Sequence, residues 1–199
     1  APEQIPPVAG ILENPKEASF PGKRRDMAKD LETRGCPVCN AVSKAAVDFF
    51  MQWQYDFCAR EQVQEWYAAR LGFCPLHTWQ LEAVASPQGI SRGYPLLAER
   101  LSRDLARLAE DAVHKTPDVF PLVQTPETCR VCQELHECES GYVGRLTAFL
   151  TGPQEGLLYE ESHGVCLRHL AMLLERIESR ETARSLLKAA SRRFEELAE

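Results

Sequence analysis

Long apolar runs are missing from this 199-residue chain. None approaches the roughly 18 residues that a bilayer span requires, so no membrane segment is read in it. Basic charge is short as well. The 23 Lys and Arg against 29 Asp and Glu leave a formal charge of −6, a balance that weighs against a general nucleic-acid binder. No stretch alternates polar and apolar residues over the length of a strand. Signatures of Ser–His–Asp hydrolases, phosphate-binding loops and HExxH metalloproteases are lacking. The opening residues 1–7 carry neither a basic n-region nor an apolar h-region, so no signal peptide is read there. With 44% hydrophobic and 26% charged residues, most of the chain has globular rather than disordered composition.

What the chain does have is eight cysteines, six of them in a repeating pattern. Cys36-Pro37-Val38-Cys39 is followed after 34 residues by Cys74-Pro75-Leu76-His77. Cys129-Arg130-Val131-Cys132 is followed after 33 residues by Cys166-Leu167-Arg168-His169. The copies are offset by 93 residues at the first knuckle and 92 at the second. Gly72 and Gly164 each stand two residues before the second knuckle, where glycine allows a positive φ. An even cysteine count permits a disulfide framework. The close pairs matched with histidines, in a chain long enough to form a core unaided, point instead to a reducing, cytoplasmic setting.

Apolar positions repeat with the same offset. Val38, Val42, Ala45, Phe49, Trp53 and Phe57 match Val131, Leu135, Cys138, Tyr142, Leu146 and Leu150. Spacings of three and four mark one face of a helix in each copy. Leu81 and Ala85 match Leu173 and Ile177, and Leu97, Leu101, Leu105 and Leu108 resemble Leu186, Ala190, Phe194 and Leu197. The expected fold is therefore all-α, a duplicated helical unit forming a pseudo-twofold bundle with a Cys3His metal site at helix ends in each unit. The expected divisions are a Pro-rich extended or disordered arm over 1–25, a first unit over 26–115, a Pro-rich linker over 116–128 and a second unit over 129–199. The return segment before each second knuckle is expected to be partly extended, or the preceding helix bent. Ser86-Pro87-Gln88-Gly89 reads as a break, and Ser179 as a helix restart.

Three cysteines and a histidine suit a tetrahedral Zn²⁺, which takes thiolates near 2.3 Å and imidazole near 2.0–2.1 Å. The eight residues Cys36, Cys39, Cys74, His77, Cys129, Cys132, Cys166 and His169 are accordingly expected to hold two zinc ions. Four ligands per site leave no open position for a reacting water, so the metal reads as structural. Spacing alone leaves open whether ligands are exchanged between the units. Iron–sulfur clusters on the same ligands, in an electron-transfer or redox-sensing protein, form the alternative. A second alternative is a thiol–disulfide oxidoreductase using Cys36 and Cys39. A c-type haem does not fit, because Asn40 and Gln133 follow the two CxxC pairs.

Other residues receive plainer readings. Cys138 and Cys58 read as core cysteines. His136 reads as surface or as a residue behind the ligands, His163 as a local hydrogen-bonding group and His114 as a helix-end residue. Trp53 and Trp66 read as core, while Trp79 beside the CxxH reads as a metal shield or a contact surface. Arg176, Arg180, Arg184, Lys188 and Arg192 recur every four residues. On a continuous helix they form a basic row, either a solvated face beside Glu178, Glu181 and Glu195 or a docking face for an acidic protein surface.

At its CPVC…GFCPLH and CRVC…GVCLRH motifs the chain resembles a poorly characterised group of bacterial helical proteins with paired CPxC…GxCxxH metal-binding knuckles. The resemblance covers about residues 34–175 and implies no activity. It implies Cys36, Cys39, Cys74 and His77 as one ligand set and Cys129, Cys132, Cys166 and His169 as the other; Arg130 stands where the pattern has proline. The expected function is a non-enzymatic zinc-binding adaptor or interaction scaffold with a protein partner.

Overall fold

The computed structural model describes residues 24–111, 116, 118–152, 155–196 and 198. The proline-rich arm up to residue 23 lies outside the described residues, as do His114 and Leu197. Among the described residues the chain is all-α, with nine α-helices, one 3-10 turn at Phe120–Leu122 and no strand. The helices are α1 (Arg24–Glu32), α2 (Pro37–Ala59), α3 (Glu61–Ala69), α4 (Pro75–Val84), α5 (Pro87–Asp111), α6 (Arg130–Leu150), α7 (Glu155–Glu161), α8 (Leu167–Leu174) and α9 (Arg180–Glu196). After each CxxC the order is the same: a long helix, two short ones and a long one.

Local chemistry explains the boundaries. Ser86 accepts the Gly89 amide on its hydroxyl at 3.2 Å, and Pro87 opens α5, a position where its missing N–H is not needed. Ser179 accepts the Thr182 amide in the same way at 3.2 Å and α9 begins at the next residue. The return segments are mostly helical, formed by the short helices α3 and α7, with residues 70–73 and 162–165 non-helical before each knuckle.

The chain divides into two compact units that are not its sequence copies. Of the described residues, Ala46–Glu134 form one, and 24–45 with 135–198 form the other. Both α2 and α6 begin in one unit and end in the other. The first unit has an aromatic core. Trp53 stacks on Phe49 and Phe57, and Tyr67 meets Phe57 and Phe73 edge-on with ring centroids 4.9 and 5.1 Å apart. Edge-on and offset pairs are the favoured arrangements of such rings. The Phe57 ring lies against Gly93 of α5 and occupies the place a Cβ would take there.

The second unit is built on aliphatic side chains. Leu31, Val38, Val143, Leu146, Leu150, Leu170, Leu173 and Leu186 are buried together with Tyr142 and Tyr159. Tyr142 closes it toward α1 by donating its hydroxyl to Asp30 at 2.6 Å.

Candidate metal centres

All four knuckles are built alike. In each, the first cysteine precedes a helix, and its carbonyl accepts the amide four residues on. The pairs are Cys36 with Asn40 at 3.0 Å, Cys74 with Thr78 at 2.9 Å, Cys129 with Gln133 at 3.1 Å and Cys166 with Leu170 at 2.8 Å. The second ligand then falls at the third helical residue. Both side chains are presented at the helix N-terminus, whose unsatisfied N–H groups favour thiolate. The glycines do what positive φ requires, with φ of 79° at Gly72 and 70° at Gly164.

Two clusters result. Cys74, His77, Cys129 and Cys132 assemble in the aromatic unit, and Cys36, Cys39, Cys166 and His169 in the aliphatic one. Within each, one ligand atom per residue lies within 4.8 Å of all the others. This corrects the sets implied along the chain, Cys36, Cys39, Cys74 and His77 in one and Cys129, Cys132, Cys166 and His169 in the other. Each CxxC meets the CxxH of the other copy. The reason is helix length. At about 1.5 Å per residue, α2 carries the chain about 34 Å away from Cys36, and α3 can return at most about 14 Å. The corresponding figures for α6 and α7 are about 32 and 10 Å.

The spacing has a chemical meaning. Two thiolates about 2.3 Å from one ion at the tetrahedral angle stand about 3.8 Å apart. Cys74 Sγ and Cys132 Sγ are 3.8 Å apart, as are Cys39 Sγ and Cys166 Sγ. His77 Nδ1 lies 3.2, 3.6 and 3.3 Å from the sulfurs of Cys74, Cys129 and Cys132. His169 Nδ1 lies 3.3, 3.4 and 3.1 Å from those of Cys36, Cys39 and Cys166. The eight cysteines are free of disulfides. The donor set and its spacing fit a single ion in each cluster.

Crowding shapes the ionisation of these sulfurs. Burial and the neighbouring Cys36 and Cys166 push Cys39 up to about 12, and burial with Cys129 and Cys74 pushes Cys132 up to about 12. Burial opposes ionisation of Cys129 too. There, hydrogen bonds from His77 and from the backbone N–H groups of Cys74 and Cys132 outweigh it and bring the thiol down to about 6. Three sulfurs so close do not ionise together on their own; a divalent cation at their midpoint reverses that balance.

The two histidines differ behind the ligand atom. The Nε2–H of His169 is donated to Glu139 Oε1 at 2.9 Å, leaving Nδ1 as the nitrogen that faces the sulfurs. Arg168 donates to Glu139 Oε2 at 3.0 Å. Burial alone would raise the Glu139 pKa, but hydrogen bonds from His169 and Arg168 hold it below the usual carboxylate value. His77 instead packs against Phe50, with ring centroids 6.2 Å apart. Among the described residues no carboxylate lies within ion-pair distance of it. Sequence reasoning missed Glu139. Its signal is a charged residue in register with the buried Tyr142, Val143 and Leu146 of α6, where the first copy has Ala46.

The remaining candidates fall outside the clusters. Cys138 is buried as expected and Cys58 half-buried. His136 is exposed, 4.0 Å from Glu139, and His163 is exposed. Trp53 is buried and Trp66 half-buried, but Trp79 is 71% exposed and shields no metal. Four of the five basic residues, Arg180, Arg184, Lys188 and Arg192, share the continuous helix α9, and Arg176 does not. Arg176 lies in the turn before α9 and donates to the Ser140 carbonyl and hydroxyl at 2.8 Å each. Arg192 pairs with Glu160 at 3.5 Å, while Arg180, Arg184 and Lys188 remain exposed on α9.

No described helix is long and apolar enough to cross a membrane. The chain matches no family model, no curated protein and no solved structure, so the resemblance to the CPxC…GxCxxH proteins gains no named family from them. What stands is a helical chain with two Cys3His clusters able to hold metal ions.

Proposed function

We propose that this is a non-enzymatic zinc protein whose two metal ions clamp helical units into an interaction scaffold. The observation that carries the reading is the convergence of four ligand atoms within 4.8 Å in each cluster, with sulfur pairs at the tetrahedral edge length. Four protein ligands, three of them thiolates, fill the coordination shell and leave no position for a reacting water. The ligands of an iron–sulfur cluster bind separate irons and are spread by the inorganic core, which suits this convergence less well. Each ion would tie together distant segments, residues 36–39 to 166–169 and 74–77 to 129–132, where a clamp constrains the most chain.

A scaffold needs a surface for its partner. Arg180, Arg184 and Lys188, beside the half-exposed Leu187 and Phe194, suit an acidic protein partner. Anaerobic purification followed by elemental analysis and a visible spectrum tests the metal reading. It predicts two zinc ions per chain and no colour. A brown protein with iron and acid-labile sulfide contradicts it in favour of a cluster. A metal-free protein with a reversible Cys36–Cys39 disulfide contradicts it in favour of thiol–disulfide chemistry.

A further inference from the structure

We infer that Glu139 sets an order of metal affinity between the two centres. The Cys36–Cys39–Cys166–His169 centre takes the first zinc ion, and the Cys74–His77–Cys129–Cys132 centre takes the second and releases it first. The inference rests on the zinc reading above and adds a regulatory consequence: falling zinc unclamps the aromatic unit while the aliphatic unit stays clamped.

Two independent features point the same way. The first is the hydrogen bond behind the ligand. Glu139 is 9% exposed and holds His169 Nε2 at 2.9 Å, and it is held in turn by Arg168 at 3.0 Å. A carboxylate in that place fixes the ring orientation and tautomer and makes Nδ1 a better donor; loss of such a partner typically weakens metal binding 10–100-fold, by general precedent. His77 has Phe50 beside it and no carboxylate among the described residues within reach.

The second feature is charge. Three thiolates, one neutral imidazole and a divalent ion carry a net single negative charge. In the aromatic unit that charge is the more enclosed, since Cys74, His77 and Cys129 are 3%, 4% and 0% exposed and only Cys132 is half-exposed. Enclosing a charge in apolar surroundings costs free energy unless something answers it. In the aliphatic unit Cys36, Cys39 and Cys166 are half-exposed, and the Arg168 guanidinium stands behind the site.

Single-centre proteins test the order at equilibrium. Cys36→Ser with Cys39→Ser leaves the aromatic centre, and Cys129→Ser with Cys132→Ser leaves the aliphatic one. In competition with a chelator, the aliphatic centre is expected to hold zinc about 10–100-fold more tightly. Glu139→Ala in that background removes the advantage, and Glu139→Gln, which keeps an acceptor oxygen, falls between. Cadmium NMR on the full chain covers the case in which a single-centre protein does not fold. Two resonances are expected, of which chelator removes first the one that Glu139→Ala leaves unshifted. Equal affinities, the reverse order, or indifference to Glu139→Ala overturns the inference while the zinc reading stands. A full chain that takes up no zinc at either centre overturns that reading, and the inference with it.

Discussion

The two metal centres share one knuckle and differ in almost everything behind it. In both, ligands occupy the residue before a helix and the third residue within it, with a positive-φ glycine leading into the CxxH. Beyond the ligands, one histidine rests on a phenylalanine ring amid stacked aromatics, and the other on a buried carboxylate amid aliphatic side chains. Ligand convergence is thus a property of helix starts and is indifferent to the core around it. The core decides how firmly each ion is held and what is lost when it leaves.

The largest expected effect is removal of both ions. Structural zinc contributes an apparent 10–16 kcal/mol in model peptides, about as much as the roughly 5–15 kcal/mol net stability of a whole domain. Chelation should therefore remove much of the far-UV helical signal and the cooperative thermal transition. All three tryptophans (53, 66 and 79) lie in the aromatic unit, so their fluorescence reports that unit separately. An unchanged melting curve after complete chelation would break the comparison at its root.

Core truncations come next. Trp53→Ala should cost about 3–5 kcal/mol and shift the fluorescence transition, whereas Leu146→Ala should cost about 2–5 kcal/mol with its first effect on the aliphatic unit. Denaturant titrations followed by both signals check whether the two cores respond apart. Gly93→Ala should cost about 1–3 kcal/mol, because the Phe57 ring occupies the space of the new methyl and is itself enclosed by aromatics. A neutral Gly93→Ala would mean that the ring moves aside freely.

The smallest effect concerns pH in the fraction of the chelated protein that stays folded. Cys129, lowered from the ordinary 9.0 to about 6, stabilises the aromatic unit above its unfolded value, and that contribution is lost as pH falls from about 9 through 6. Cys132 and Cys39, raised to about 12, act with the opposite sign, and their contribution is lost as pH rises from about 9 toward 12. Thiolate absorbance should accordingly show one early titration belonging to the coupled sulfurs around Cys129, and Cys129→Ser should change it.

Much of this architecture is legible in residue spacing. The stripe Val131, Cys138, Tyr142, Leu146 and Leu150 is buried, as are Val38, Trp53 and Phe57 of the matching stripe. Ser86, Pro87 and Ser179 mark helix starts, and both knuckle glycines take positive φ. The pairing of knuckles is not legible from motif spacing, because near-equal inserts make the two CxxH motifs interchangeable partners. Only helix length breaks that tie, once the return segments are known to be short helices. The basic row loses Arg176 for a local reason, since the helix start at Ser179 interrupts the periodicity that joins it to Arg180. Glu139 escaped because its burial depends on a histidine brought from α8.

The exchange of knuckles is tested most directly by cadmium–proton correlation NMR of the cadmium-loaded chain. One cadmium should couple to side-chain protons of Cys36, Cys39, Cys166 and His169, and the other to those of Cys74, His77, Cys129 and Cys132. A single cadmium coupled to both Cys39 and Cys74 would contradict the account.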